Sequence, residues 1–220
     1  MREIYLTYLN RLDIEAAALA DEEIIATIEA SLAMQGRGET VIEPRVHLEP
    51  KSAAEGHFNV LRGFIGGEIG MAGVKVVGDF VGNYTLDLPS ELGLLCLFDP
   101  GTGAPAAILD ASGITDMRTG AVTAVGAKYL APAGSRTLGH IGARGTAYWN
   151  VRLLDRLFGF ETIRVHSRRA ASRTEFAARL TADLGKRVIA TADWQSCVEG
   201  ADIVAEASRL SAPQPLLRTP

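Results

Sequence analysis

In the second half of the chain, short apolar runs alternate with stretches whose apolar residues recur at helical spacing. Helical patterns cover 148–158, a stretch from a Ser172/Glu175 capping box to Gly185, and a short segment capped by Asp193. The apolar runs between them are predicted to be strands: one that starts at Thr137, then 162–166, 188–190 and 202–205. Strands that alternate with helices predict an α/β fold with a parallel, Rossmann-type sheet and right-handed crossovers.

The first half of the chain has a different pattern. A short strand at 5–7 and a turn or helix at 12–14 precede an amphipathic helix from an N-cap at Asp21 to Gly36. Short runs bounded by Gly, Pro and Asn then predict strands at 41–42, 45–48, 57–61, 73–77, 94–98 and 106–109. An alanine-rich helix over 114–130 bridges to a hinge at 132–135. We therefore predict an α+β domain over 1–115, in front of the Rossmann-type domain over 116–220.

The apolar run from Thr137 breaks into glycines at the first predicted strand-to-helix turn. Gly142, Arg144 and Ala147 follow a G-x-R-x-x-A spacing, so an arginine replaces the middle glycine of the usual dinucleotide-binding pattern, and Gly145 follows it. A buried strand that turns tightly into a helix leaves N–H groups and the positive helix end facing outward, which suits a pyrophosphate. The alternative is an α/β domain that binds no nucleotide, and the position of the glycines disfavours it.

Three cations of the first half are flanked by apolar or strand residues. Arg45 lies between Pro44 and Val46, Lys75 lies among valines, and Arg118 opens the alanine-rich helix. A buried cation is costly unless an anion meets it. Either Arg45 and Arg118 pair with acids such as Glu43 and Asp116 while Lys75 reaches solvent, or the three cations meet in one interdomain cleft and bind a carboxylate.

The end of the second strand of the Rossmann-type domain carries no acidic residue. It reads Ser167-Arg168-Arg169, with Arg173 close behind. An acid at this place binds the ribose diol of NAD, whereas an arginine accommodates the 2′-phosphate of NADP. The residues favour NADP, and the alternative is a solvated basic loop.

Composition narrows the classes of partner. With 22 basic and 26 acidic residues the formal net charge is −4, which argues against a nucleic-acid surface as the main role. No apolar run is long enough to span a membrane, and the polar start is not a secretory signal. Cys96 and Cys197 are predicted to be buried free thiols in a reducing cytoplasm, and the four histidines show no metal-ligand spacing, so we expect no metal site.

Several segments of the chain resemble one enzyme family, the ornithine cyclodeaminase/μ-crystallin family. They are Arg45 after a proline, Gly73-Val74-Lys75-Val76-Val77, Leu109-Asp110-Ala111, and the stretch from Thr115 to Ala121 followed by Ala127-Lys128-Tyr129-Leu130. The likeness runs from about the first helix to the end of the chain. The Gly-Ala-Arg-Gly-Thr-Ala loop resembles the ectoine-utilisation and iminosuccinate reductase branch more than true cyclodeaminases.

The resemblance implies an NAD- or NADP-dependent enzyme acting at the α-carbon of a small amino or imino acid, and a homodimer built on the first domain. It implies that Arg45, Lys75 and Arg118 hold the substrate carboxylate, with Lys75 and Arg118 in the catalytic site. The cofactor-binding residues it implies are Ser90, Arg118, Thr119, Gly142, Ala143, Arg144, Gly145, Thr146, Ala207 and Ser208; the residues at the second strand end add Ser167, Arg168 and Arg169.

Two departures from the family pattern matter. Arg144 replaces a family glycine, which changes the phosphate contacts. The catalytic aspartate of the family would lie beyond position 220, in the further strands through which its members continue.

Three activities agree with these residues. The first is an imino- or amino-acid oxidoreductase, in which the cations fix the carboxylate while hydride passes between the nicotinamide and the α-carbon. The others are a non-catalytic NAD(P)H- or small-acid-binding protein of the μ-crystallin type and a cyclodeaminase-like ammonia lyase. A dicarboxylic imine would need a second anion partner, for which Arg62 and His57 are candidates; the alternative for both is an exposed strand face.

Overall fold

The computed structural model describes residues 3–51 and 56–208. The chain divides into two compact units, 1–115 and 116–220. Each is described by itself.

The first unit is built on a seven-stranded sheet that is antiparallel except at one edge. Its strands are β1 (Thr7–Leu9), β2 (Thr40–Ile42), β3 (Val46–Leu48), β4 (Gly56–Ile65), β5 (Met71–Phe80), β6 (Glu91–Phe98) and β7 (Pro105–Asp110). The order is β1-β7-β6-β5-β4-β2, β3 also pairs with β4, and β1 runs parallel to β7. Helices α1 (Arg11–Ala16) and α2 (Asp21–Gly36) and a 3₁₀ helix at Val81–Leu86 complete the unit, and α3 (Ser112–Leu130) begins at its end.

The pairing register assigns each residue of this sheet to one of two faces, because successive side chains of a strand point to opposite sides. One face carries Lys75, which is paired with Leu61 on one side and Leu95 on the other, and Val77, which is 6% exposed. The opposite face, here called the apolar face, carries two rows of paired residues: Val46, Val60, Val76 and Leu94 in one row, and Leu48, Phe58, Gly78 and Leu92 in the other.

The second unit is a four-stranded parallel sheet with helices between its strands. The strands are β8 (Thr137–Ile141), β9 (Thr162–His166), β10 (Val188–Ala190) and β11 (Ile203–Glu206), and the helices between them are α4 (Ala147–Phe158), α5 (Ala170–Leu184) and α6 (Trp194–Val198). The strand order is β10-β9-β8-β11, and all pairs are parallel. Since β9 and β10 lie on one side of β8 and β11 on the other, the strand order reverses at β8, and open parallel sheets bind ligands beyond the carboxyl ends of the strands at such a point.

Apolar side chains of β8, α4 and β9 fill the core of this unit. Leu138, Val151 and Ile163 are 0% exposed, and α5 adds Leu180, also at 0%. Helices α4 and α5 end in glycines with left-handed backbone, Gly159 (φ 61°) and Gly185 (φ 65°).

The alternation of runs and helical patterns thus predicted the parallel α/β fold correctly. Details at element ends differ. Ser172 does not cap α5, because that helix begins earlier, at Ala170, with Arg169 as N-cap residue. Asp21 is the first residue of α2 rather than its cap, and its charge stays near the positive helix end. The first strand is Thr7–Leu9 rather than 5–7, because pairing with β7 decides its position.

Candidate functional site

The loop after β8 (142–146), here called the glycine loop, has a backbone that requires glycine at its first position. Gly142 has φ +108°, and a Cβ there would lie 2.6 Å from the carbonyl oxygen of Ala207. Its N–H donates to the carbonyl oxygen of His166 over 2.8 Å, which joins the ends of β8 and β9. Gly145 also has positive φ, +56°. The two glycines let the chain turn sharply from strand to helix next to the end of β11.

Helix α4 begins at the end of this loop with its first turn uncapped by a side chain. Thr146 is the N-cap residue and makes no side-chain cap hydrogen bond. Arg144 and Gly145 are exposed, while Ala143 and Thr146 are half-buried. The N–H groups and the positive end of a 12-residue helix, together with the charge of Arg144, favour an anion at this loop.

The carboxyl end of β9 carries the basic residues. Arg168 and Arg169 are exposed, and Ser167 is half-buried. Arg173 donates to the carbonyl oxygen of Ser167 over 3.2 Å, and the Ser167 hydroxyl donates to the carbonyl oxygen of Arg169 over 3.3 Å. These bonds hold the backbone of the turn and leave the arginines at the surface beside the glycine loop.

The carboxyl end of β11 lies against the same loop. The N–H of Ala207 donates to the carbonyl oxygen of Ile141 over 2.8 Å, and the N–H of Ser208 donates to a carboxylate oxygen of Glu206 over 2.6 Å. The structure thus brings together residues 142–146, 167–169 and 207–208, which are far apart in the sequence, at one edge of the parallel sheet.

One residue of this region, His140, had no predicted role. It is 0% exposed in β8, and its Nδ1 lies 3.1 Å from the carbonyl oxygen of Gly142. Its Nε2 lies 3.3 Å from Nδ2 of Asn150, a buried residue of α4. Burial lowers the pKa of His140 from 6.5 to about 4, so the ring is neutral at neutral pH. A titratable residue within an apolar strand, two positions before the loop, is the signal in the sequence that points to it.

In the first unit, Lys75 is held at the start of α3. Its ammonium donates to the hydroxyl of Thr115 over 3.1 Å, and that hydroxyl donates to the carbonyl oxygen of Ala111 over 2.6 Å. Thr115 is buried and Lys75 half-buried. Lys75 therefore holds its charge at the surface of the sheet, in a partly dry environment where a carboxylate would be bound more strongly than in water.

A cavity of about 450 Å³ lies beside Lys75 on the same face of the sheet. Its lining is mostly apolar and comes from β4, β5 and β6, with Leu61, Met71 and Leu97 among its residues. Arg45 is exposed and comes directly before β3, where a continued register would place it opposite Leu61, in the row of Lys75. Lys75 and Arg45 thus share a face by register.

The two candidates for a second anion partner lie on opposite faces. The register pairs Arg62 with Val74 and so points it away from Lys75, onto the apolar face. Arg62 lies 3.8 Å from a carboxylate oxygen of Glu43 and is exposed. Glu43, which the sequence offers as a partner for Arg45, thus forms an ion pair with Arg62. Arg62 is nevertheless among the residues that line the cavity beside Lys75, so it stays a candidate for the second anion partner.

His57 does lie on the face of Lys75, four residues from Leu61 along β4. Its Nε2 is 3.2 Å from Nδ2 of Asn59, and its ring centroid is 5.3 Å from that of His47. His57 therefore belongs to a polar patch at the other end of that face from the apolar cavity.

The remaining predicted ligands lie on two elements. Ser90 directly precedes β6 in the first unit, with its hydroxyl 3.0 Å from that of Tyr84. Arg118 and Thr119 lie on α3 in the second unit, the arginine exposed and the threonine half-buried. Arg118 follows Thr115 by three residues, so both side chains lie on one face of that helix.

Within 3–51 and 56–208, no group of three or more His, Cys, Asp or Glu side chains is arranged to hold a metal ion. None of the helices in these ranges has both the length and the apolar character needed to cross a membrane. Both cysteines are free thiols: Cys197 is buried as predicted, whereas Cys96 is only half-buried.

Comparison with known proteins gives a family match over residues 7–218, to the ornithine cyclodeaminase/mu-crystallin family. An alanine dehydrogenase of Archaeoglobus fulgidus is 31% identical over 170 residues, which are 77% of this chain and 51% of that protein. The iminosuccinate reductase of Paracoccus denitrificans is 33% identical over 67% of this chain and 46% of its own length.

Solved structures agree with this match. The Thermococcus litoralis Δ1-pyrroline-2-carboxylate reductase, in complex with NADH and L-proline, has a TM-score of 0.89 at 28% identity and covers 96% of this chain and 64% of its own. An archaeal alanine dehydrogenase dimer with bound NAD has a TM-score of 0.77 at 27% identity, over 84% of this chain and 56% of its own. The chain thus spans about half to two thirds of the length of the relatives it matches.

Proposed function

Because the chain belongs to the ornithine cyclodeaminase/mu-crystallin family, we propose that it is an NAD(P)-dependent oxidoreductase that reduces a small imino acid to the amino acid, or runs the reverse deamination. The observation that carries this proposal is the convergence of the glycine loop, the basic end of β9 and the end of β11 at one edge of the parallel sheet. Two solved structures with a similar fold contain bound NADH or NAD.

The residues present fit a dinucleotide. The glycine at 142 lets the backbone turn where a Cβ would collide with Ala207, and the uncapped start of α4 offers N–H groups to a pyrophosphate. Bound there, the nicotinamide supplies or takes up a hydride. The protein's part is to bind the two phosphates through 143–146 and to leave the ends of β8 and β11 for the rest of the cofactor.

For the substrate, we propose that Lys75, Arg45 and Arg118 bind the carboxylate. Lys75 is oriented by Thr115, and Arg118 lies one helical turn beyond that threonine. A bound carboxylate fixes the α-carbon in one position, which is what hydride transfer requires. The mostly apolar lining of the cavity beside Lys75 suits a substrate with a short side chain, and Arg62, which also lines the cavity, and His57 are the candidates to bind a second carboxylate.

For the cofactor, we propose that Arg168 and Arg169 select NADP. Both are exposed at the end of β9, where a ribose 2′-phosphate lies in this fold, and that strand end provides no acid to bind a ribose diol. The alternative is that the protein uses NAD and that the basic turn is only solvated. Comparing the affinities of the same protein for NADPH and NADH distinguishes the two.

We further propose a homodimer that buries the apolar face. Val46, Leu48, Val76, Leu92 and Leu94 on this face are 39–59% exposed, which is unusual for adjacent rows of large apolar side chains. The related archaeal alanine dehydrogenase is a dimer. Replacing Leu94 with lysine is expected to give a monomer by sedimentation velocity; an unchanged oligomer would contradict the use of this face.

The free thiols suit a reducing, cytoplasmic compartment.

The experiment that tests the activity measures oxidation of NADPH and NADH by the purified chain, with a panel of α-keto acids plus ammonia or methylamine. We expect turnover that depends on both the keto acid and the amine, with NADPH preferred. Cofactor binding without turnover on any member of the panel would contradict the catalytic role and favour a binding protein instead.

A further inference from the structure

Two polar contacts of the His140 ring together define its tautomer. The carbonyl oxygen of Gly142 is only an acceptor, so the Nδ1 atom at 3.1 Å must carry the proton. Nε2 then has a lone pair and accepts from the Nδ2 amide of Asn150 at 3.3 Å. If the Asn150 amide were turned round, its oxygen would face an unprotonated Nε2. One neutral tautomer therefore satisfies both contacts, and it agrees with the low pKa that burial produces.

The same contacts determine which way one peptide group of the loop faces. The N–H of Gly142 is used by the carbonyl oxygen of His166, and its carbonyl oxygen is used by His140. In a trans peptide, the carbonyl of one residue and the N–H of the next point in opposite directions, and the chain has no cis peptide bonds in the residues described. With the Gly142 carbonyl turned inward to His140, the N–H of Ala143 points outward, on the side where Arg144 and Gly145 are exposed.

We propose that His140 is a positioning residue of the dinucleotide site: its Nδ1–H holds the carbonyl of Gly142 inward, so that the N–H of Ala143 donates to a phosphate oxygen of the cofactor. The inference rests on the proposed function and adds to it. It assigns the first phosphate contact of the loop to Ala143, because the amide of Gly142 is already used, and it gives a binding role to a side chain that cannot itself touch the ligand.

A pair of variants separates positioning from packing. In His140→Leu the donor is lost and the carbonyl of Gly142 is free to turn outward. In His140→Asn the side-chain amide nitrogen takes the place of Nδ1 and keeps the donor. Val165→Ala is the matched control, since Val165 is paired with His140 in the register, is also 0% exposed, and has an apolar side chain that cannot donate a hydrogen bond.

NADH binding by the full 220-residue chain is measured by fluorescence titration at pH 7.5, beside the thermal midpoint of each variant. We expect His140→Leu to weaken NADH binding about tenfold, the effect of one lost hydrogen bond to a charged group. His140→Asn should remain within about threefold of the parent, and Val165→Ala should lower the midpoint without a comparable loss of affinity. Equal NADH affinity in His140→Leu and the parent would overturn the inference.

A second readout does not depend on the folding of His140→Leu. Two-bond ¹H–¹⁵N spectra of the parent protein report the histidine tautomer, and we expect a protonated Nδ1 and a bare Nε2 for His140. Addition of NADH should shift the Ala143 amide strongly downfield while leaving that of Gly142 in its bond to His166. A protonated Nε2 at neutral pH, or an unshifted Ala143 amide in a protein that binds NADH, would overturn the inference alone; failure of the parent to bind NADH or NADPH would overturn the proposed function with it.

Discussion

The two units of the chain build their candidate sites from different parts of the polypeptide. In the parallel-sheet unit, the site consists mainly of backbone: the turn at Gly142, the start of α4 and the ends of β9 and β11 meet because parallel strands end at the same edge. In the antiparallel unit, the site consists of side chains, with Lys75 on a sheet face beside a cavity. A backbone site tolerates many side-chain changes but not a Cβ in the wrong place, whereas a side-chain site depends on single charges.

The largest effect is expected from a Cβ in the glycine loop. Gly142→Ala places a methyl group 2.6 Å from the Ala207 carbonyl oxygen and forces alanine to φ +108°, so the turn must rearrange. We expect NADH affinity to fall about 100-fold or more, with a loss of roughly 1–3 kcal/mol in unfolding free energy from backbone strain alone. Gly134→Ala is the control, because Gly134 also has positive φ (+83°) but has open space around it. Similar NADH affinities for the two variants would show that the clash is not what matters.

The buried histidine makes the parallel-sheet unit sensitive to acid. The pKa of His140 is about 4 in the folded protein, below its usual 6.5, so the unfolded chain binds more protons between these values and stability falls as the pH drops from about 6.5 to about 4. A shift of this size corresponds to about 3 kcal/mol, fully retained above pH 6.5. Both tryptophans, Trp149 and Trp194, lie in this unit, so their fluorescence in urea titrations reports it.

The contribution of His140 to the pH dependence of stability is isolated by comparison with His140→Asn, which has no ionisable ring at this position. The difference in unfolding free energy between the parent and this variant should change by about 3 kcal/mol between pH 7 and pH 4. A constant difference over that range would show that His140 does not carry the acid sensitivity.

Removing the charge of Lys75 should weaken use of the substrate without changing the affinity for the cofactor. Lys75→Met is expected to lower kcat/KM for the imino acid by about 30-fold, as for loss of a charged hydrogen-bond partner, with NADH affinity unchanged. Arg11→Met is the control, because Arg11 is an exposed cation of the same unit that pairs with Glu15 on α1 and is not part of the cavity lining. A comparable loss of kcat/KM in both variants would contradict a specific role of Lys75 in substrate binding.

The smallest effect is expected for cofactor choice, where exposed charges act through solvent. Arg168→Glu should weaken NADPH binding about tenfold and NADH binding much less, since only NADPH carries the 2′-phosphate. Measuring both dissociation constants at two salt concentrations checks that the difference is electrostatic. Equal losses for NADPH and NADH would remove Arg168 from 2′-phosphate recognition.

The sequence predicts the site of the parallel-sheet unit better than that of the antiparallel unit, for physical reasons. The strands and helices of the parallel sheet follow from local periodicity, and their order places the glycine loop at the ligand-binding edge before any contact is known. In the antiparallel sheet, whether Arg62 shares a face with Lys75 depends on the register between β4 and β5, which side-chain periodicity within one strand does not determine. The role of His140 does not follow from the pattern of its strand, because it comes from two contacts outside that strand, with Gly142 and Asn150. Ser172 and Glu175 match a cap pattern, but α5 begins at Ala170, because the helix continues N-terminal to them.

The central claim is that the loop after β8 binds the phosphates of a dinucleotide through its backbone. An amide-resolved NMR titration of the 220-residue chain with NADPH or NADH tests it most directly. We predict that the largest shifts fall on Ala143 to Trp149, at the glycine loop and the first turn of α4, with smaller ones at 167–169 and 207–208. Saturable cofactor binding that leaves the amides of 143–149 unshifted would contradict it.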